Sequence, residues 1–337
     1  MKAVAYQKAG PLDRADALVD VTLEKPVARG RDLLVRVEAI SVNPVDYKIR
    51  SNVSPEAGQW KVLGWDAVGT VVETGETVEG FKTGDQVWYA GSLIRQGTNS
   101  AFHLVDERIV GRKPLSLSNS EAAALPLTSI TAWEMLFDRL DVRKPVAGAA
   151  NAILIIGGAG GVGSVAIQLL RALTDLTVIA TASRPETQDW VKQLGAHHVV
   201  DHSKPLAQQV EALGIGAPAF VFSTTQTLNH LAEIVTLIAP QGRFGLIDDP
   251  DALDIMPFKR KSVSVHWELM FTRPIYETAD IGEQGKLLND VAQLIDAGKI
   301  KTTLTDVLSP INPANLKKAH SVLESGKAKG KIVLEGW

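Results

Sequence analysis

At 337 residues the chain exceeds the size at which a single hydrophobic core usually stops growing, so two domains are expected. Its 45% hydrophobic and 22% charged residues exclude disorder and collagen, and a formal charge of -3 removes the basic excess that binds nucleic acid. The absence of cysteine excludes disulfides, thiolate nucleophiles, iron-sulfur clusters and every cysteine-based zinc site.

The chain starts without an apolar signal region, and no stretch approaches the 18 or so apolar residues that span a bilayer, so a cytoplasmic protein without a membrane partner is expected. Short apolar segments at 17–23, 33–41, 67–74 and 86–89, punctuated by glycines and charged turns, predict a compact β-rich first domain. From about residue 120 the texture turns helical. Ser120 reads as an N-cap before Glu121, and 129–140 carries apolar residues at helical spacing. A continuous apolar strand at 153–156 then opens a series of strands at 177–181, 197–200, 219–222 and 242–247. Predicted helices at 162–174, 186–194, 205–213 and 227–238 separate them, and this alternation implies parallel βαβ units. A strand at 262–267, helices at 281–297 and 313–325 and a closing strand at 331–334 follow, with no internal repeat.

Directly after the apolar strand, Gly158, Gly160 and Gly163 spell G-x-G-x-x-G and lead into a helix, the context a dinucleotide loop requires. Gly158 is assigned the tight turn, Gly160 the approach of the pyrophosphate and Gly163 the packing of helix on strand. Gly161 and Val162 open the helix, whose N-terminus supplies unpaired N–H groups and a favourable dipole. An acid about 20 residues beyond the last glycine would select NAD. Ser183 and Arg184 stand there instead, a hydroxyl and a guanidinium suited to the 2'-phosphate of NADPH. His202, after the third strand, either adds a contact or is a surface histidine.

Other chemistries find no support. None of the four tyrosines has a lysine at +4, and G-x-S-x-G, H-E-x-x-H and Walker A patterns are absent. His197 and His198 are neighbours on a predicted strand and point to opposite faces, so they do not share a metal ion.

The segments Ser41-Val-Asn-Pro-Val-Asp46-Tyr-Lys-Ile-Arg50, Gly64-Trp-Asp-Ala-Val-Gly-Thr-Val-Val-Glu-Thr-Gly75, Phe81-Lys-Thr-Gly-Asp-Gln-Val87 and Ala124-Leu-Pro-Leu-Thr-Ser-Ile-Thr-Ala-Trp133, with the glycine loop, carry a family resemblance. Over nearly its whole length the chain resembles the medium-chain dehydrogenase/reductase superfamily, and within it the zinc-free quinone oxidoreductase branch, which includes proteins labelled zinc-type alcohol dehydrogenase-like. The resemblance implies an α/β fold in which a Rossmann doubly wound parallel sheet (124–264) is inserted into a GroES-like β-rich domain (1–123 and 265–337). It places Asn43 and Trp65 where zinc-dependent relatives carry a cysteine and a histidine ligand.

It also implies that Asn43 and Thr128 border the nicotinamide, that Tyr47 faces the substrate as a hydrogen-bond donor, that Ser223 and Thr224 lie by the adenosine half, and that Lys331 reaches the cofactor. Asn43 before Pro44 equally suits a turn, Thr128 a helix cap, and Tyr47 packing. The resulting expectation is an NADPH-dependent reductase of quinones or α,β-unsaturated carbonyls that uses no metal and forms a homodimer. A dedicated enone or enal reductase and a non-enzymatic, crystallin-like NADPH-binding protein are the alternatives.

Overall fold

A computed structural model describes residues 1–337. The elements begin with β1 (Lys2–Tyr6), β2 (Val19–Thr22), β3 (Asp32–Ser41), α1 (Pro44–Asn52), β4 (Lys61–Val62), β5 (Asp66–Thr74), β6 (Gln86–Ala90), β7 (Phe102–Asp106), β8 (Val110–Arg112) and α2 (Asn119–Ala123). The middle of the chain carries α3 (Pro126–Trp133), β9 (Ala150–Ile156), α4 (Gly161–Leu173), β10 (Thr177–Thr181), α5 (Pro185–Gln193), β11 (His198–Val200), α6 (Leu206–Ala212), β12 (Pro218–Ser223), α7 (Thr227–Leu237), β13 (Arg243–Leu246) and β14 (Ser264–Trp267). The remainder is α8 (Thr272–Tyr276), α9 (Glu283–Asp296), β15 (Leu304–Leu308), α10 (Pro313–Glu324) and β16 (Lys331–Glu335). No helix is long and apolar enough to cross a membrane.

These elements form two compact units, Met1–Leu127 with Phe271–Trp337, and Thr128–Met270. The boundaries lie beyond 123 and 264 for physical reasons. Leu127 N donates to Asp66 Oδ1 at 2.7 Å, and β14 pairs with β13, so each segment stays with its own sheet.

In the first unit β16, from the end of the chain, pairs antiparallel with β3 in the register Val333↔Ser41, so both ends of the chain build one sheet. Its order is β15-β16-β3-β5-β6-β8 with β7 also on β3, and a three-stranded sheet β2-β1-β4 accompanies it. Trp65, Trp88, Tyr6 and Tyr89 fill the interior. Ser118, two residues before the expected cap, starts α2: Glu121 N donates to its Oγ at 3.3 Å and Ser118 N donates to Glu121 Oε2 at 2.9 Å, a reciprocal capping box. Ser120 is instead buried against Glu335.

The second unit holds a parallel sheet in the order β11-β10-β9-β12-β13-β14. Strand order reverses between β9 and β12, the switch point outside which doubly wound sheets bind ligands. Its core packs Leu154, Ile156, Ile179, Val221, Phe244 and Phe258. Parallel strands covered on both faces read as unbroken apolar runs, which is why β9 and β12 stand out in the sequence.

Candidate functional site

The glycine loop sits at the switch point. Gly157 follows β9 with φ +81°, a conformation only glycine adopts without strain, and a Cβ there would stand 2.3 Å from Thr224 Oγ1. The tight turn therefore falls on Gly157 rather than on Gly158. Gly158 is small for another reason: a Cβ would come within 2.9 Å of Ala180 Cβ on β10. At Gly163 a Cβ would lie 2.4 Å from the Gly157 carbonyl oxygen, so α4 rests directly on the loop. Gly160 caps α4, and the nearest atom to a Cβ there is 3.4 Å away, which leaves room above the first-turn N–H groups of Gly161 and Val162. The loop thus fits a pyrophosphate.

The surrounding candidates differ in how free they are. Thr181 at the end of β10 accepts a hydrogen bond from Gly157 N at 3.0 Å, and its hydroxyl lies 3.2 Å from His202 Nδ1, so His202 braces the loop through Thr181. Burial holds His202 below the usual histidine range. Ser183 is half-buried after β10. Arg184 is the N-cap of α5 and donates from Nε to Glu186 Oε1 at 2.6 Å in a partly exposed ion pair. Thr224 is pinned to the end of β9, its N and Oγ1 donating to Ile156 O at 3.1 and 2.9 Å. Ser223 Oγ lies 2.8 Å from Thr227 Oγ1, which bonds Asp248. Thr128 is buried within α3 rather than capping it.

The first unit brings Asn43 and Lys331 together around an aspartate that the sequence reading passed over. Asp66, fully buried, accepts on Oδ2 from Asn43 Nδ2 at 2.7 Å, Ser41 Oγ at 3.0 Å and Lys331 Nζ at 3.3 Å, and on Oδ1 from Leu127 N at 2.7 Å. Lys331 Nζ donates also to Val42 O at 2.7 Å and to Asn43 Oδ1, so its protons are all engaged. Burial lowers the pKa of Lys331, with Asp66 opposing the shift. Asn43 caps α1, its N donating to Asp46 Oδ2 at 2.8 Å. Burial pushes the Asp46 carboxyl up to about 7 against the pull of the Asn43 N–H and Lys331. Tyr47, next along α1, is half-buried, and its hydroxyl has no hydrogen-bond partner.

A zinc ion does not fit these residues. Trp65 is buried with its Nε1 donating to Ser92 O at 3.2 Å, Asn43 Oδ1 is taken by an ammonium group, and nowhere do three His, Asp or Glu side chains cluster as a metal would need. A lone acid in an apolar run, Trp65-Asp66-Ala67, was the signal for Asp66.

The same signal marks Glu134 between Trp133 and Met135. Glu134 opens the π-helical turn Glu134–Arg139 after α3, and Glu268 directly follows β14. They are 1% and 4% exposed, and near enough for the Glu134 charge to act on Glu268. Arg139 Nε donates to Glu268 Oε2 at 2.8 Å, while no N–H or hydroxyl reaches Oε1. Burial, then the neighbouring Glu134 charge, push the Glu268 carboxyl up to about 9, with Arg139 opposing.

Comparisons with known proteins agree with this architecture. Residues 29–113 match the alcohol dehydrogenase GroES-like domain, and residues 194–334 match the zinc-binding dehydrogenase family. The chain is 38% identical to the zinc-type alcohol dehydrogenase-like protein SAS2087 of Staphylococcus aureus (strain MSSA476), covering 99% of both chains. A solved structure from Rhizobium etli CFN 42, assigned to the zinc-dependent alcohol dehydrogenases, is 66% identical with a TM-score of 0.99, covering 100% of this chain and 98% of that one. The quinone oxidoreductase of Pseudomonas syringae pv. Tomato DC3000 is 25% identical with a TM-score of 0.82, covering 99% of each. With its GroES-like domain, its parallel nucleotide-binding sheet and relatives matched end to end, the chain belongs to the medium-chain dehydrogenase/reductase superfamily of nicotinamide-dependent oxidoreductases.

Proposed function

We propose that the protein is an NADPH-dependent reductase that passes hydride to a quinone or another α,β-unsaturated carbonyl without zinc. The observation that carries this reading is the Asn43–Asp66–Lys331 cluster beside a buried Trp65, a donor set with no place for a Lewis acid. Without a Lewis acid the oxidation of an alcohol loses the group that would stabilise its alkoxide, whereas reducing a conjugated carbonyl needs hydride delivery and a weak acid.

NADPH, when bound, supplies the hydride. The chain's own residues bind and orient. Gly158, Gly160 and Gly163 shape the loop, and the N–H groups of Gly161 and Val162 hold the pyrophosphate. Ser183 and Arg184 take the 2'-phosphate. The exposed Arg184–Glu186 pair is worth no more than about 1 kcal/mol, so a doubly charged phosphate displaces the glutamate. Ser223 and Thr224 fix the strand ends beside the adenosine half, and Thr128 borders the nicotinamide. Asn43 and Lys331 hold the start of α1 rigid, so that Tyr47 presents a free hydroxyl to the acceptor carbonyl. A cytoplasmic homodimer, with β14 as the edge strand that meets its copy, completes the proposal.

Steady-state turnover tests it. NADPH oxidation is expected with quinones or enones and little NADP-dependent oxidation of simple alcohols. Tyr47→Phe is expected to lower kcat/KM about tenfold, corresponding to about 1 kcal/mol for one hydrogen bond, with NADPH binding unchanged. Robust alcohol oxidation without quinone or enone turnover contradicts the reading.

A further inference from the structure

The first unit contains a cavity of about 260 Å3 that neither the glycine loop nor the Asn43–Asp66–Lys331 cluster uses. Its wall comes from the loop after β6, the start of β3, the end of β7, the turn Glu107–Ile109 and α8 with the residues just beyond it, all within that unit. None of Asn43, Tyr47 or Lys331 lines it. Leu104, Ile109, Pro274 and Ile281 give it an apolar side. A volume near the lower limit of ligand cavities suits a molecule smaller than a drug.

The polar side of the cavity carries surplus negative charge. Asp32, Asp106 and Glu277 line it against a single guanidinium, that of Arg95. Arg95 donates from Nη1 and Nη2 to the two carboxylate oxygens of Asp32 at 2.8 and 2.7 Å. Arg108 holds Asp106 in the same forked way, from Nε at 3.0 Å and from Nη2 at 2.7 Å. Glu277 is the loosest held of the three, with Arg108 Nη2 at 3.7 Å and its side chain 70% exposed. Three carboxylates against two guanidiniums leave one negative charge over, and an entering anion would meet all three acids. Ser92 gives an independent sign of a ligand. It lines the cavity, is 5% exposed, and its carbonyl accepts from Trp65 Nε1 at 3.2 Å and from Arg95 N at 3.3 Å, yet its hydroxyl has no partner. Buried hydroxyls are normally hydrogen-bonded, so one left bare in a cavity wall is satisfied when a ligand brings the missing group.

We propose that this cavity is a binding site for a small protonated amine carried on an apolar body. The ammonium group takes up the surplus charge of Asp32, Asp106 and Glu277 and donates to the Ser92 hydroxyl, and hydrogen bonds from a charged donor to carboxylates are about twice as strong as neutral ones. The apolar body leaves water for the side formed by Leu104, Ile109, Pro274 and Ile281. This site stands whether or not the reductase reading holds, since the two share no residue.

Calorimetric titration at neutral pH with benzylamine, and with benzyl alcohol and benzoate as its neutral and anionic counterparts, tests the proposal. The methyl NMR signals of Ile94, Ile109 and Ile281, which all line the cavity, report where the ligand sits. Benzylamine is expected to bind with a Kd of about 1 mM or tighter, within the efficiency that small ligands reach, and to shift those three signals. Benzyl alcohol should bind at least about tenfold more weakly and benzoate not measurably. Glu277→Gln changes an exposed side chain and should raise the Kd for benzylamine about fivefold, and Ser92→Ala should raise it about threefold. Absence of benzylamine binding, binding no tighter than that of benzyl alcohol, or tighter binding of benzoate would each overturn the proposal. So would isoleucine signals that stay in place at saturation, or a Kd unchanged in both variants, since the amine would then lie elsewhere.

Discussion

Lys331 and Arg184 show how differently two cations of one chain are used. Lys331 is 4% exposed with every ammonium proton on a buried oxygen, so it neutralises Asp66 and ties the C-terminal strand β16 to the start of α1. Lys331→Met leaves Asp66 as an uncompensated buried charge. The expected cost is about 3–5 kcal/mol, read as a fall in the thermal midpoint, and Asp66→Asn in the same chain should recover part of it. Simple additivity of the two changes would show that the pair does not act as a unit. Arg184 pairs with Glu186 in a partly exposed ion pair at the surface. Arg184→Ala is expected to raise KM for NADPH about tenfold to a hundredfold, the equivalent of about 1.5–3 kcal/mol, with little change for NADH. Equal effects on both cofactors would remove Arg184 from the 2'-phosphate site.

At the scale of elements, the close contact between α4 and its loop constrains the cofactor site. Gly163→Ala puts a methyl group 2.4 Å from a backbone oxygen that has no rotamer to escape through, so helix and loop must separate. NADPH affinity should fall at least tenfold and stability by about 1–3 kcal/mol, measured by ligand titration and thermal unfolding. An unchanged NADPH affinity would mean that the loop does not hold the pyrophosphate.

This loop was legible in the sequence because its glycines, strand and helix are contiguous. The strands β9, β10 and β12 were legible because burial on both faces makes their inner stretches continuous apolar runs. β15 was not, for its residues Leu304–Leu308 are mostly exposed and are held as an edge by pairing with β16. α1 was also missed: it starts at a proline and buries only Asp46 and Arg50, so it lacks an apolar stripe. Ser118 and Ser120 are both plausible caps locally, and the glutamate three residues beyond Ser118 decides between them. Asp66 and Lys331 are 265 residues apart, and Glu134 and Glu268 likewise meet only through the fold. A single sequence offers a lone acid in an apolar run as a sign that a buried partner exists, without naming the partner.

For the whole molecule, the central proposal is that this chain, related to zinc-type alcohol dehydrogenase-like proteins, works without zinc around a salt-bridged polar core of Asn43, Asp66 and Lys331. Cysteine is absent from all 337 residues, and the GroES-like unit closes on itself through β16 and β3. The most direct measurement is NADPH oxidation by a quinone, with purified protein assayed in a strong chelator after its zinc content has been determined. The account predicts substoichiometric zinc and an undiminished rate. About one zinc per chain, with activity that disappears on its removal and returns on its addition, would contradict it.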